Sequence, residues 1–172
     1  MNLIVRIILT ALIVAWASFP FMNSNTSKGI MGEVYGIGIG WTILIILLFF
    51  GMVALYCITL QKCLKLIKPE NRKTNPKSVW RMFIMPFNFV EDFFIVINIA
   101  NSLEEEKKNN ETLKNISDFG MVSGIGWSIA QLMSFIPNMV GQISGLIGML
   151  LLAYHWLHIS KINKLLTEKV SK

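Results

Sequence analysis

Three long stretches without a charged side chain limit what this chain can fold into: residues 7–27, 34–61 and 119–160. About 20 apolar residues in a helix cross a hydrocarbon core roughly 30 Å thick. The first two stretches are each long enough for one crossing, whereas the third has about twice the length that one crossing needs. The third must therefore fold back on itself. Pro137-Asn138, near its centre, is the natural turn of a helical hairpin because proline lacks an amide donor.

The composition agrees with a lipid environment. Charged residues make up 15% of the chain, against about 25% in soluble domains. Apolar residues make up 53%, and the mean hydropathy is +0.56. The sequence contains neither a Gly-x-Gly-x-x-Gly motif nor a P-loop, which excludes the common nucleotide-binding units. These features predict an all-α integral membrane protein.

We predict a four-helix membrane bundle with one additional amphipathic helix, either interfacial or re-entrant. The whole chain, residues 1–172, forms a single membrane domain. Ala15-Trp16-Ala17 resembles a signal-peptidase site, but we interpret the segment around it as a retained span. The spans are predicted at about residues 3–22, 36–60, 119–136 and 139–159.

The additional helix is predicted over residues 76–108, with Asn75 as its cap and Pro76 as its first residue. Two carboxylates interrupt its apolar run, so the segment is not a clean span. At about 100° per residue, four polar residues share one side of this helix, opposite an aromatic-rich apolar side. Such a pattern is typical of a helix in the membrane interface, where the carboxylates would face headgroup water. The polar stripe consists of Arg81, Asn88, Glu91 and Asp92.

The basic residues set the predicted orientation. Seven of them lie between positions 62 and 81 against one acid, whereas the loop after the first span has only Lys28 and Glu33. The positive-inside rule places residues 62–81 in the cytoplasm. Four crossings then leave both termini in the cytoplasm, and we expect the bacterial inner membrane. If the additional helix crosses as well, the basic C-terminal tail is exported.

Five of these basic residues are predicted to contact anionic lipid headgroups. Trp80 is the one aromatic residue between positions 62 and 81, and nucleic-acid surfaces interleave several aromatic residues with basic ones. The segment therefore favours lipid over nucleic acid. The five residues are Lys62, Lys65, Lys68, Arg72 and Lys73.

Small residues at intervals of four are the informative packing positions in a membrane helix, because they let two backbones approach closely. Three glycine pairs have this spacing. Two interpretations stay open, namely contact between chains in an oligomer and packing of the last two spans against each other. The pairs are Gly36 and Gly40, Gly120 and Gly124, and Gly141 and Gly145.

Few residues have side chains that could bind a metal or a cofactor or take part in catalysis. His155 and His158 share a helix face and are candidates for a metal or haem, but no cysteine or carboxylate lies near them in sequence. We therefore predict no metal and no cofactor. The charged residues from Glu104 to Lys108 are predicted to form a solvated helix end. Glu91 and Asp92 are the strongest functional candidates, because ionisable groups at membrane depth are costly.

Two segments of the chain resemble a sequence pattern found in other proteins. Residues 75–103 read NPKSVWRMFIMPFNFVEDFFIVINIANSL, and residues 153–166 read AYHWLHISKINKLL. Together they resemble a group of small uncharacterised bacterial multi-pass membrane proteins with a domain of unknown function. Their pattern is Ile-Pro-x-x-Asn followed by Trp-x-x-Ile-x-x-x-Asn-x-Leu, over roughly the C-terminal 100 residues. Here the first motif falls on Pro86 and Asn88, preceded by Met85 and with a shorter spacing, and the second falls on Trp156, Ile159 and Asn163.

The resemblance implies a helical membrane protein and carries no activity. The sequence therefore predicts a non-catalytic subunit or assembly protein of a larger membrane complex, with lipids and other membrane subunits or further copies of itself as partners. The alternative is a homo-oligomeric channel or carrier in which the polar stripe lines the path. No enzyme is expected, because no pocket-forming acid–base pair can be recognised.

Overall fold

The computed structural model describes residues 3–22, 38–136 and 138–170, with residues 17, 19–22, 169 and 170 described by their backbone alone. Over these ranges the chain forms helices and no strand, which confirms the all-α prediction. The α-helices are α1 (Leu3–Met22), α2 (Ile39–Leu66), α3 (Asn88–Lys107), α4 (Met121–Met133) and α5 (Met139–Val170). The 3-10 helices are η1 (Pro69–Asn71), η2 (Pro76–Phe83) and η3 (Glu111–Leu113).

Two of these helices are long and apolar enough to cross a membrane, namely α2 and residues 139–168 of α5. Both continue past the ends predicted at residues 60 and 159. The helix within the predicted span 119–136 has only 13 residues. At 1.5 Å per residue it is about 20 Å long, against about 30 Å of hydrocarbon. That span was therefore predicted too long.

Helices α2 and α5 run parallel and are joined around Thr59. Trp156 Nε1 donates to the Thr59 hydroxyl at 2.8 Å, and Asn163 Nδ2 donates to the Thr59 carbonyl at 2.9 Å. Ile159, between the two, is fully buried. The residues of the second motif are thus packing residues that fix α5 against α2.

Helices α4 and α5 form an antiparallel hairpin. A methyl group on Gly148 of α5 would lie 3.3 Å from Cβ of Ala130 on α4, so the two backbones are close. The turn falls where the sequence predicts it, between the end of α4 and the start of α5. Asn138 caps α5 by accepting from the amides of Val140 and Gly141 at 2.9 and 3.3 Å. Pro137 itself lies outside the described residues.

The single helix predicted over residues 76–108 is wrong, because the segment is two helices. Asn75 caps the first one as predicted, accepting from the amide of Lys77 at 2.9 Å. This first element is η2, and it ends at Phe83. The backbone then turns through residues 84–87, where Pro86 cannot continue a helix, and α3 begins at Asn88.

The two helices lie side by side as a hairpin, here named the 76–107 hairpin. Its two ends meet, since Ser102 on α3 accepts from the backbone amide of Lys73 at 2.8 Å. Its tip lies far from those ends. There the Phe83 ring is 6.0 Å from Phe50 of α2, and the Phe89 ring is 5.2 Å from Phe135 after α4.

Helix α3 is the centre of the fold. None of the positions from Asn88 to Ala100 is exposed, because α1, α2, α4 and η2 pack around them. The polar residues of this segment therefore do not face water, as they would in an interfacial helix. Residues 88–100 of α3 therefore contact other helices of the chain on all sides.

Burial divides the molecule into two zones. The packed zone contains α3, the second half of α2 and the second half of α5, with residues such as Leu64, Leu103 and Ile159 completely buried. The apolar zone contains α1, residues 39–49 of α2 and residues 139–150 of α5. Most of its described side chains are exposed, as in Ile39 at 81% and Leu150 at 72%. Arg6 is the only charged residue in those three segments.

The predicted glycine positions play different roles. Gly120 and Gly124 pack within the chain, against His155 of α5. Gly141 lies against the carbonyl of Ile136 in the α4–α5 turn, so its role is local. Gly145 is half-buried, Gly40 has no described atom within 4 Å of an added methyl, and Gly36 lies outside the described residues.

Gly124→Ala should lower the thermal unfolding temperature. The new methyl would overlap Val96 and lie 3.0 Å from Nε2 of His155, and overpacking of this kind costs about 1–3 kcal/mol. Gly51→Ala is the matched control, since its methyl meets no described atom within 4 Å and alanine favours a helix. Tryptophan fluorescence during thermal unfolding in detergent measures both variants. Equal unfolding temperatures would contradict the packing role of Gly124.

Candidate functional site

Glu91 is the centre of an ion-paired group that joins three helices. One carboxylate oxygen pairs with Arg6 of α1, and the other lies 3.6 Å from Nη1 of Arg81 in η2. Glu91 is only 6% exposed. The prediction that this carboxylate faces headgroup water is therefore wrong, because two guanidinium groups take the place of water.

Arg6 is the residue that sequence reasoning missed. It lies 85 positions from Glu91 in the chain, and no local pattern connects the two. Its guanidinium also lies 5.0 Å from the centre of the Phe94 ring, a cation–π contact that covers its apolar side. The sequence did contain one indication of the contact with Glu91. Arg6 is a single charge at the start of an apolar helix, and such a charge requires a partner.

Asp92 is buried beside Glu91 but has a different environment. It is 3% exposed, and in the described part of the chain no donor lies within hydrogen-bond distance of its Oδ1 atom. The prediction that Asp92 faces headgroup water is wrong as well. The structure brings Arg81 and Glu91 of the polar stripe into contact and places Asp92 away from water.

Asn88 lies one helical turn before Asp92 on α3. It is also buried, and its Oδ1 atom likewise has no donor among the residues that the structure describes. Residues four apart in a helix share a face, so the two unsatisfied oxygens lie on the same side of α3. Helix α2 contacts α3, and the Tyr56 hydroxyl and Cys57 thiol of α2 are within electrostatic reach of Asp92.

The two histidines occupy different surroundings. His155 is fully buried, and its Nδ1 atom shares a 2.8 Å hydrogen bond with the hydroxyl of Tyr56. His158 donates from Nε2 to the backbone carbonyl of Asp118 at 2.9 Å. Across residues 3–22, 38–136 and 138–170 no group of three or more potential ligands could hold a metal ion. The His155 ring thus bonds to α2, and the His158 ring bonds to the loop before α4.

A second polar cluster closes the base of the 76–107 hairpin around Glu106. This carboxylate accepts from Nδ2 of Asn71 at 2.8 Å, from the amide of Lys68 at 3.1 Å and from Nδ2 of Asn110 at 3.3 Å. Burial acts to raise the pKa of Glu106, but these hydrogen bonds outweigh it and hold the pKa below its ordinary value. The prediction of a solvated helix end is wrong for this residue, which is buried.

The basic residues predicted to contact lipid lie near this base. Arg72 donates to the carbonyls of Ile67 and Lys65 at 2.9 and 3.0 Å, and so caps the C-terminal end of α2. Lys73 pairs with Glu105 at 3.4 Å. Lys62, Lys65 and Lys68 are exposed.

Comparison with known proteins adds no further constraint. No protein-family model matches the chain, and no curated protein or solved structure matches it significantly.

Glu106→Gln should lower the free energy of unfolding by about 1–3 kcal/mol at neutral pH, since hydrogen bonds to a charged group contribute on that scale. Because the folded pKa is depressed, the stabilisation from Glu106 is fully present above pH 4.5 and is lost as pH falls through the folded pKa. The variant should therefore differ from wild type at pH 7 and converge with it in acid. Denaturant unfolding at several pH values measures this.

Glu105→Gln is the matched control, because its carboxylate is more exposed and pairs with lysines at the surface. Its stability should stay close to wild type. A Glu105 effect as large as that of Glu106, or a Glu106 effect independent of pH, would contradict the assigned role.

Proposed function

We propose that this chain is a non-catalytic integral membrane subunit, or an assembly protein, of a larger membrane complex. The main support for this proposal is the exposure of the first part of α2. Of the positions from Ile39 to Phe49, Thr42 alone is buried against the described residues. A membrane helix with so few internal contacts has its sides available for lipid and for other helices.

One face of that helix is suited to another helix rather than to lipid. Gly40 and Gly51 are eleven residues apart, which at 100° per residue puts them about 20° apart on one face. A methyl on either glycine would meet no described atom within 4 Å. Since small residues permit close helix contact in membranes, we propose this Gly40–Gly51 face as the partner-binding surface.

The proposed placement puts the base of the 76–107 hairpin in the cytoplasm and its tip in the membrane, as a re-entrant element. Two observations support it. The basic residues Lys62 and Lys65 of α2 and Lys161 and Lys164 of α5 are at the same end of the molecule, because these helices run parallel. The tip residues Ile84 and Met85 are apolar and exposed. The basic C-terminal end of α5 then lies in the cytoplasm, together with the basic end of α2.

In this proposal, the ion-paired charges around Glu91 have a structural role within the membrane. Glu91 uses both oxygens to hold α1 and η2 against α3. Ion pairs of this kind make a buried charge tolerable and fix the arrangement of the helices around it. No acid–base pair with a substrate pocket is part of the proposal.

The alternative is a homo-oligomeric channel or carrier, and Asp92 is the observation that favours it. A buried carboxyl at membrane depth with an oxygen that has no described donor is a candidate for a polar path. The two hypotheses differ in stoichiometry. A channel needs a ring of identical chains, whereas a subunit associates with different chains.

The mass of the particle purified in nanodiscs should exceed that of one chain and include other membrane proteins. Gly40→Leu combined with Gly51→Leu should reduce the particle to a single chain, because the added side chains separate the contacting backbones. Ile45→Phe adds bulk on the opposite face of α2 and serves as the control. A single chain in wild type, or a ring of identical chains, would contradict the proposal, and the ring would support the alternative.

A further inference from the structure

The proposed subunit role does not use the pair of unsatisfied oxygens on α3. Oδ1 of Asn88 and Oδ1 of Asp92 are one helical turn apart, and both side chains are more than nine-tenths buried. Two buried acceptors without a donor are costly, because each loses its hydrogen bonds to water. A single proton on Asp92 would provide a donor on that face and remove the buried charge.

We propose that Asp92 and Asn88 form a buried proton-binding site, with Asp92 carrying the proton and Asn88 accepting its hydrogen bond. This inference goes beyond the proposed subunit role and does not depend on it. The site takes a proton rather than a metal cation for two reasons. Asp92 is not part of any group of three His, Cys, Asp or Glu side chains among the described residues that could hold a metal, and the guanidinium groups on adjacent Glu91 repel a second cation.

The groups that face Asp92 come from every element packed around this part of α3. Arg6 of α1 and Arg81 of η2 are neutralised in part by Glu91. Helix α2 contributes Tyr56 and Cys57, and His155 of α5 lies behind Tyr56. Helix α4 contributes Trp127, which is not titratable and whose ring centre is 6.0 Å from that of Tyr56. Elements η1 and η3 pack at the other end of α3, near Glu106.

Infrared spectroscopy of the full chain in nanodiscs tests the site. Wild type at neutral pH should show the carbonyl absorption of a protonated carboxylic acid. Asp92→Asn should lose this band, and Glu91→Gln should keep it, with thermal unfolding used to confirm that each variant is folded. A band that is missing in wild type, that persists in Asp92→Asn, or that sodium chloride removes would overturn the proposal. The last result would identify a sodium site instead.

Discussion

The pairing of Glu91 with Arg6 and Arg81 is the interaction on which the arrangement of the helices depends. A carboxylate away from water requires cations, and here they come from helices at both sides of α3. Arg6 ties α1 to the packed zone, although most other side chains of α1 are exposed. Arg81 ties η2 to α3 and so keeps the 76–107 hairpin closed near its tip. Removing Glu91 would leave both guanidinium groups without their buried partner.

The packed zone explains how one short chain can hold polar groups inside an apolar molecule. Backbone and side-chain polar groups in lipid must be satisfied within the protein. At Thr59 for α2 and α5 and at Glu106 for the base of the hairpin, the packed zone meets this requirement with bonds between distant segments. The Oδ1 atoms of Asn88 and Asp92 are exceptions. The apolar zone has few such groups and can therefore face lipid or a partner helix.

The sequence predicts the local features of this fold well and the distant contacts poorly. Charge-free stretches predict the helices, Asn75-Pro76 predicts the start of η2, and Gly120 and Gly124 predict a close helix contact. The burial of Glu91 was not predictable from its own segment, because its partner Arg6 lies at the other end of the chain. Pro86 could have indicated the break between η2 and α3. The helical spacing of the polar residues continues across it, however, and predicted one unbroken helix. Glu106 looked solvated because its partners Lys68 and Asn71 belong to a different loop.

We infer that the 76–107 hairpin enters the membrane and returns to the same side. Spin labels on cysteines placed at Met85, Lys73 and Lys108 test it most directly, since the native Cys57 and Cys63 are fully buried. In lipid bilayers, the label at position 85 should collide with oxygen far more than with a water-soluble nickel chelate, and the other two labels should show the reverse. In sealed vesicles, both outer labels should be reached from the same side. A water-exposed label at position 85, or labels at 73 and 108 reached from opposite sides, would contradict the account.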